Sequence, residues 1–442
     1  MTEQELEKRI ERRLEWFQDL KFGFFVHWGI YSQWGCIESW PLIEEDKWAR
    51  PDDLPCWVER GKDMERFKRD YRALNKTFDP KKFEPKKWAE AAKYAGMKYF
   101  CFTTKHHDGF CMYDTKQTDY RITHPDCPYS KTAQPDVAKV LFDTFREEGF
   151  GIAAYYSKSD WHHPAYWSPD APAKTRNPNY DTLKNPEKWK PFVDFVYAQI
   201  KELMSGYGRV DVLWLDAGQV RPPEQDIQMD RIAEMARGYQ KDLLIVDRTV
   251  GGKHENYRTP EQEVPDKPQP FVWESCITMG DQWSYKPGDK YKSPRQLIHL
   301  LVDVVAKGGN LILNIGPDAD GQLPPASLER LKAIGDWMKV NSKAIYETRA
   351  IAPYKSGRVC FTRKGDTAYA IYLCEEGKET LPEKVVVAGI KPKAGSKVKL
   401  LGARDALEWS EEGDGFSIQV PRSVIENPPC KEAFVFEFKL GR

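Results

Sequence analysis

Short and almost uninterrupted apolar runs recur through roughly the first 345 residues, and longer amphipathic stretches separate them. Apolar runs of this length without polar alternation are typical of strands in a parallel sheet, because helices cover both faces of such a sheet. Seven runs fit this description: Phe22–Trp28, Met97–Thr103, Phe150–Tyr156, Val210–Leu215, Leu243–Asp247, Phe271–Glu274 and Asn310–Ile315. This pattern limits the possible folds more than any other feature of the chain.

Helices are predicted between these strands. Pro85–Tyr94 and Val137–Glu148 are amphipathic, and a glycine that can end a helix follows each of them closely. Ser293-Pro294 predicts the start of another helix, since serine is a good N-cap and proline is favoured at the first helical position. Strands and helices that alternate in this way predict a parallel α/β fold.

A (β/α)8-like barrel of the TIM type fits this pattern best. Only seven strands are recognised, so either one strand is missed or the barrel is irregular. A doubly wound sheet is the alternative. It is disfavoured because no glycine-rich phosphate loop follows the first strand.

The pattern changes after about Thr348. Short segments rich in valine, phenylalanine and tyrosine follow, with turns that contain glycine and charged residues between them. They predict strands at Val359–Thr362, Ala368–Cys374, Lys384–Val387, Val398–Leu401, Phe416–Val420 and Ala433–Phe438. We therefore expect a catalytic barrel over residues 1–347 and a C-terminal all-β sandwich over residues 348–442.

Composition and charge exclude several classes of function. Lys and Arg number 67 and Asp and Glu number 67, so the chain has no basic surplus for nucleic acid. The longest largely apolar stretch, Leu297–Ala306, is far shorter than the ~20 residues of a membrane span. The first 15 residues are charged and helical in pattern. They predict a cytoplasmic chain as written, or a periplasmic or secreted one if a signal peptide was removed.

Polar residues stand where the predicted strands end, which is where barrel enzymes carry their active sites. The ring they form is His27, His106, His107, Tyr156, Asp216, Arg248 and Glu274. The chain also has 15 Trp, many of them beside His, Asp or Glu. Aromatic faces stack on sugar C–H groups while carboxylates bind hydroxyls, so this composition predicts a carbohydrate site.

Asp216 is the sharpest candidate, because it ends the run Val210–Leu215 and directly follows Trp214-Leu215. A single carboxylate cannot hydrolyse a glycoside, since a second group must protonate the leaving oxygen. The candidates for that group are Glu261, within Thr259-Pro260-Glu261-Gln262, and Glu274.

A metal site at His106-His107 is disfavoured. Adjacent residues of a strand point to opposite faces, and no second histidine cluster has clear ligand spacing. Neutral histidines that bind hydroxyls fit better, and we expect no metal and no cofactor. The nine Cys are scattered without a C-x-x-C motif, which gives no support for a zinc or disulfide scaffold.

Several of these segments together resemble the α-L-fucosidases of glycoside hydrolase family 29. The matching segments are Phe24–Ser32, Lys105–Phe110, Tyr155–Ser157 with Asp160-Trp161, Trp214–Asp216, Thr259–Gln262 and Trp273-Glu274. They appear in the family's order and extend from residue 16 to about residue 345, and the trailing β region resembles the family's C-terminal sandwich.

The resemblance implies a retaining exo-enzyme that releases terminal α-L-fucose from oligosaccharides or glycoconjugates. Asp216 matches the nucleophile, and Glu261 is the preferred acid/base, with Glu274 as the fallback. The positions that match sugar-binding residues are His27, Trp40, His106, His107, Tyr156, Trp214 and Arg248. Relatives often carry a compact Glu-Trp-Tyr where this chain has Glu38-Ser39-Trp40-Pro41, so the stacking role of Trp40 is the least direct match.

Two other functions compete with this one. A non-catalytic sugar-binding protein is disfavoured because candidates for both carboxylates are present. An α-L-galactosidase stays open, because the two sugars differ by one hydroxyl and an apolar pocket rejects an added hydroxyl only weakly.

Overall fold

The computed structural model describes residues 2–441, so Met1 and Arg442, at the outer ends of the two predicted domain ranges, lie outside it. Seven parallel strands form one curled sheet in the order β5-β4-β3-β2-β1-β7-β6. They are β1 Phe22–Val26, β2 Tyr99–Lys105, β3 Gly151–Ser157, β4 Val212–Asp216, β5 Leu244–Asp247, β6 Glu274–Thr278 and β7 Asn310–Ile315. The α/β class and the irregular barrel are as predicted.

Helices surround this sheet and close the end at which its strands begin. They are α1 Glu3–Leu20, α2 Pro55–Val58, α3 Met64–Arg72, α4 Pro85–Tyr94, α5 Val137–Glu147, α6 Pro186–Gly206, α7 Met229–Tyr239, α8 Pro294–Ala306 and α9 Pro325–Asn341. Ser293 caps α8 as predicted, with Gln296 completing a capping box. Phe17 of α1 stacks on Tyr257 at 4.3 Å, so α1 seals the amino-terminal end of the barrel.

An irregular segment, residues 254–262, fills the place of an eighth strand. On one side Asn256 N donates to Ile245 O of β5 at 2.9 Å. On the other side Cys276 N of β6 donates to Pro260 O at 3.1 Å, and Gln262 N donates to Cys276 O at 3.0 Å. We call residues 254–262 the closing segment, because it joins the two edges of the sheet. It carries Glu261.

The sixth strand lies later in the chain than predicted. The apolar run Phe271–Trp273 precedes β6, which begins at Glu274 and continues through the polar residues Ser275 and Thr278. These hydroxyls bond locally, with Ser275 Oγ donating to Glu263 O at 2.6 Å and Thr278 Oγ1 to Gly280 O at 2.7 Å. Buried hydroxyls satisfied in this way give no apolar signal, so the prediction of strand Phe271–Glu274 was wrong.

The C-terminal region consists of two antiparallel sheets around an apolar core. One sheet has the order β13-β12-β16-β10-β9-β8 and the other β11-β15-β14. The strands are β8 Arg349–Ser356, β9 Val359–Lys364, β10 Thr367–Leu373, β11 Lys384–Val387, β12 Val398–Leu400, β13 Ala406–Leu407, β14 Trp409–Glu412, β15 Gly415–Gln419 and β16 Ala433–Lys439, with helix α10 at Arg422–Glu426. The division into two folding domains at residue 348 stays a prediction.

The C-terminal sheets pack against α8 and α9 of the barrel. Trp337 Nε1 donates to Ala433 O at 2.8 Å, and His299 Nε2 lies 2.8 Å from Glu432 O. Throughout residues 2–441, helix length and hydropathy fall short of what a membrane span requires.

Candidate active site

The carboxyl ends of the parallel strands surround a cavity of about 480 Å³. Eight of the ten predicted site residues line it, namely His27, Trp40, His106, His107, Trp214, Asp216, Arg248 and Glu261. Phe25, Tyr155 and Trp214 form part of its wall and are almost completely buried. The cavity therefore has a closed apolar floor and opens at one end.

Asp216 is the last residue of β4, and its carboxylate is held from two sides. Tyr155 donates its hydroxyl to Oδ2 at 2.7 Å, and Arg248 Nη1 donates to Oδ1 at 2.8 Å. Burial by itself raises the pKa of a carboxyl group, but here Arg248, His107 and the Tyr155 hydroxyl together lower the pKa of Asp216 well below its usual range. Asp216 is thus an ionised, oriented carboxylate at neutral pH.

Arg248 follows β5 and links the two predicted catalytic carboxylates. Its Nη1 binds Asp216, its Nη2 binds Glu261, and its Nε donates to Thr259 Oγ1 at 3.2 Å. The guanidinium also lies 5.1 Å from the Trp214 ring, within the range of a cation–π contact. One planar cation thus holds Asp216 and Glu261 on adjacent nitrogens.

Glu261 reaches the cavity from the closing segment. The backbone on either side of it is bonded to Cys276 of β6, so the residue occupies a strand-like position rather than a free loop. Its side chain is 44% exposed, compared with 16% for Asp216. Glu261 therefore faces the mouth of the cavity, whereas Asp216 lies near the floor.

The three histidines are buried and neutral. His27 Nδ1 lies 2.7 Å from Asn314 Oδ1, and His107 Nδ1 lies 2.6 Å from Ser157 Oγ. Burial lowers the pKa of both imidazoles to about 4, and it lowers the pKa of His106 well below its ordinary value. Neutral rings with one nitrogen held in this way can offer the other to a sugar hydroxyl. Among residues 2–441, no group of three or more His, Cys, Asp and Glu is arranged to hold a metal ion.

Comparison with known proteins assigns this arrangement to a family. The family model for α-L-fucosidase matches residues 2–343. The chain belongs to the α-L-fucosidase family. It is 30% identical to the plasma α-L-fucosidase of Homo sapiens, over 94% of this chain and 87% of the human one.

Solved fucosidase structures match along nearly the whole chain. The α-L-fucosidase isoenzyme 1 from Paenibacillus thiaminolyticus superposes with a TM-score of 0.77 and 30% identity, covering 98% of this chain and 100% of that one. The Thermotoga maritima α-fucosidase in complex with a mechanism-based inhibitor gives a TM-score of 0.76 and 27% identity, covering 97% and 98%. The predicted fold and enzyme class, an α-L-fucosidase among the glycoside hydrolases, are confirmed.

Tyr156 does not reach the fucosidase cavity. It points from β3 into the helical layer, where its hydroxyl donates to Gln199 Oε1 of α6 at 2.9 Å and accepts from Lys105 Nζ at 3.2 Å. Neighbouring strand residues point to opposite faces, and Tyr155 is the one that faces Asp216. The prediction that Tyr156 lines the site was therefore wrong, and Tyr155 is the tyrosine that lines the cavity.

Glu274 also lies away from the cavity. It is the first residue of β6, so it sits toward the amino-terminal end of the barrel and is completely buried. Tyr99 donates its hydroxyl to Glu274 Oε1 at 3.3 Å, and burial raises the pKa of Glu274 to about 8. The predictions of Glu274 as a sugar contact and as the fallback acid/base were wrong, because the strand begins, and does not end, at this residue.

The structure adds a third carboxylate that the sequence reasoning missed. Glu38 lines the cavity, and its Oε1 accepts from Ser284 N at 2.6 Å. Burial first, and then the nearby charge of Glu261, raise the pKa of Glu38 to about 7. Its place two residues before Trp40, in the segment that departs from the usual Glu-Trp-Tyr, was the available signal.

Trp40 lines the cavity, and its role as the stacking tryptophan stays a prediction. Its ring lies 5.0 Å from the ring of His107 and 5.6 Å from that of Trp161. Arg176 covers another part of the indole at 4.5 Å. The segment after the first strand thus folds over the cavity in spite of its altered sequence.

Proposed function

We propose that the protein removes terminal α-L-fucose from glycans with retention of configuration, with Asp216 as the nucleophile and Glu261 as the acid/base. The observation that carries this proposal is the pair of carboxylates held by one guanidinium. Retaining glycosidases place such a pair about 5–5.5 Å apart, and contact with adjacent nitrogens of Arg248 keeps these two groups close together.

In the first step, Asp216 Oδ2 or Oδ1 attacks the anomeric carbon, and the bond to the leaving oxygen breaks. Glu261 acts as the general acid and donates a proton to that oxygen. Its position toward the open end suits this role, since the leaving group must point out of the cavity. To reach the oxygen, the Glu261 carboxyl group rotates away from Arg248.

In the second step, Glu261 takes a proton from water, and the water oxygen attacks the anomeric carbon and displaces Asp216. Arg248 stays with Asp216 and stabilises the carboxylate as it leaves. This returns both carboxyl groups to their starting protonation states, and no cofactor enters the scheme.

The cavity wall supports fucose as the sugar. Phe25 packs against Trp214 with ring centroids 5.3 Å apart and against Trp283 at 6.0 Å, which gives an apolar surface for the methyl group of fucose. The histidines and Tyr155 supply hydroxyl partners beside this surface, with the His27 ring 4.5 Å from that of Phe25. The closed floor leaves no path for a second sugar beyond the first, so we propose exo-cleavage of fucosylated oligosaccharides or glycoconjugates.

The test follows the hydrolysis of an aryl α-L-fucoside by NMR. We expect α-L-fucose as the first product, before mutarotation, because two displacements restore the configuration. First release of β-L-fucose would refute retention, and absence of turnover would refute the function. An aryl α-L-galactoside run in parallel distinguishes the two sugars, and faster turnover of that substrate would overturn fucose as the natural one.

A further inference from the structure

Trp48 is the exposed aromatic residue of the cavity lining. Its side chain is the most accessible of the tryptophans there, with the residue 53% exposed, whereas Trp214 is 2% exposed. An indole left half in water at the mouth of a sugar-binding cavity is an apolar surface that a ligand can cover.

The loop that carries Trp48 is firmly built. Arg50 is buried, and its guanidinium donates to the carbonyl oxygens of Pro41, Ile43 and Glu44. The Trp48 ring nitrogen donates to Asp46 Oδ1 at 3.2 Å. The indole is therefore held in place before any ligand binds, which lowers the entropy cost of binding.

Two opposite charges beside Trp48, Asp46 and Arg176, are already paired with each other. Arg176 Nε and Nη2 donate to the two oxygens of Asp46 at 2.9 and 3.0 Å, and the guanidinium also lies over Trp40. An anionic ligand would have to break this bidentate pair. The surface around Trp48 thus suits a neutral ligand with C–H groups on one face and hydroxyls at its edge.

We propose that Trp48 forms the binding subsite for the leaving-group sugar and stacks on a neutral pyranose ring. This rests on the proposed function, since the fucose must lie on Asp216 at the floor and its aglycone must extend to the mouth. Trp48 lines that mouth and lies 6.0 Å from Trp40. Trp48 is thus a specificity residue for the aglycone and makes no contact with the fucose itself.

The experiment compares two substrates that share fucose and differ in leaving group. One is the neutral fucosylated trisaccharide that the unmodified protein cleaves fastest, and the other is α-L-fucosyl fluoride, whose leaving group has no ring. For Trp48→Ala we expect kcat/KM for the trisaccharide to fall about tenfold or more, equivalent to about 1.4 kcal/mol. The value for the fluoride and the inhibition constant of free L-fucose should stay within twofold.

Two further variants complete the test. Trp48→Phe should recover part of the trisaccharide activity, because a phenyl ring keeps a stacking face. Tyr239→Ala is the matched control, since Tyr239 is an aromatic residue 49% exposed at the end of α7, outside the cavity. This variant should leave kcat/KM unchanged for both substrates.

An unchanged trisaccharide rate in Trp48→Ala would overturn the inference, and so would an equal loss on both substrates. If the unmodified protein hydrolyses neither compound, the proposed function fails, and this inference fails with it. If the unmodified protein hydrolyses the fluoride and Trp48→Ala leaves the trisaccharide kcat/KM unchanged, the aglycone subsite is refuted while the proposed function stands.

Discussion

Replacing Glu274 with glutamine should make the protein more stable at high pH, while leaving it almost unchanged at low pH. Glu274 is completely buried at the start of β6, and burial raises its pKa to about 8. Glutamine has nearly the same shape and carries no charge at any pH, so the substitution removes the titration without opening a cavity.

The magnitude follows from proton linkage. Between pH 5 and pH 8 the folded protein keeps the Glu274 proton, whereas the unfolded chain, with an ordinary pKa near 4.5, releases it. The free energy of unfolding therefore falls by about 1.4 kcal/mol for each pH unit, or about 4 kcal/mol over this interval, as an order of magnitude. The contribution of the protonated acid is complete below pH 4.5 and is lost as the pH rises toward 8.

Urea unfolding of the wild type and of Glu274→Gln at pH 5 and pH 8 measures this difference. We expect the variant to gain several kcal/mol on the wild type between the two pH values. Glu234→Gln, on the exposed face of α7, is the control and should show no such gain. Equal pH dependence in wild type and Glu274→Gln would refute the reasoning that Glu274 titrates in the folded state.

Three further predictions concern the site and the C-terminal region. Tyr155→Phe should lower kcat/KM for an aryl fucoside by roughly tenfold or more, because it removes a hydrogen bond to the charged Asp216. Tyr156→Phe, which removes a hydrogen bond outside the cavity, should change the same kcat/KM by no more than about threefold. Arg248→Gln should move the acidic limb of the pH profile of kcat/KM up by about 1–3 pH units, because Asp216 loses its opposite charge. Arg248→Lys keeps a positive charge and should leave the limb at lower pH. An unshifted limb in both variants would contradict the pairing of Arg248 with Asp216. Trp337→Phe should reduce the free energy of unfolding by about 1–3 kcal/mol, because it removes the indole N–H donor and leaves the Ala433 carbonyl only the weaker Cys430 thiol. The kcat/KM measured well below the melting temperature should not change.

The barrel was readable from the sequence because its strands are apolar on both faces. Strand β7 lies at Asn310–Ile315, as the apolar run predicted, and β1 to β5 are shifted by at most two residues at either end. Since these ends are where side chains meet, five members of the predicted ring line one cavity, namely His27, His106, His107, Asp216 and Arg248. The other three predicted residues of the cavity, Trp40, Trp214 and Glu261, came from the motifs around that ring.

The errors have physical causes. Tyr155 and Tyr156 are chemically identical neighbours, and only the register of β3 against β4 determines which one faces Asp216. Strand β6 is formed largely by polar residues with local hydrogen bonds, so the strand was predicted at the apolar run that precedes it. The sequence of the closing segment has no strand pattern. Its backbone pairs with the edges of the sheet, near β5 on one side and β6 on the other, only at isolated positions.

Glu38 shows a third kind of limit. Its backbone has a φ of +34°, which brings it over the cavity in a segment without regular structure beyond short 3-10 turns. Such a position depends on contacts with Ser284, which is distant in the sequence. Local pattern cannot reveal a contact of this kind.

The central claim, that Asp216 attacks and Glu261 transfers protons, is tested most directly by the configuration of the fucosyl azide formed by two variants. Glu261→Ala still forms the covalent intermediate on Asp216 from an activated aryl α-L-fucoside, and azide then displaces Asp216. Two displacements give α-L-fucosyl azide. In Asp216→Gly azide attacks the substrate directly, and one displacement gives β-L-fucosyl azide.

NMR of the products distinguishes the two anomers. The account predicts the α-azide with faster turnover from Glu261→Ala, and the β-azide from Asp216→Gly. Formation of the β-azide by Glu261→Ala and of the α-azide by Asp216→Gly would reverse the two roles. Full activity of Asp216→Gly without azide would contradict the account altogether.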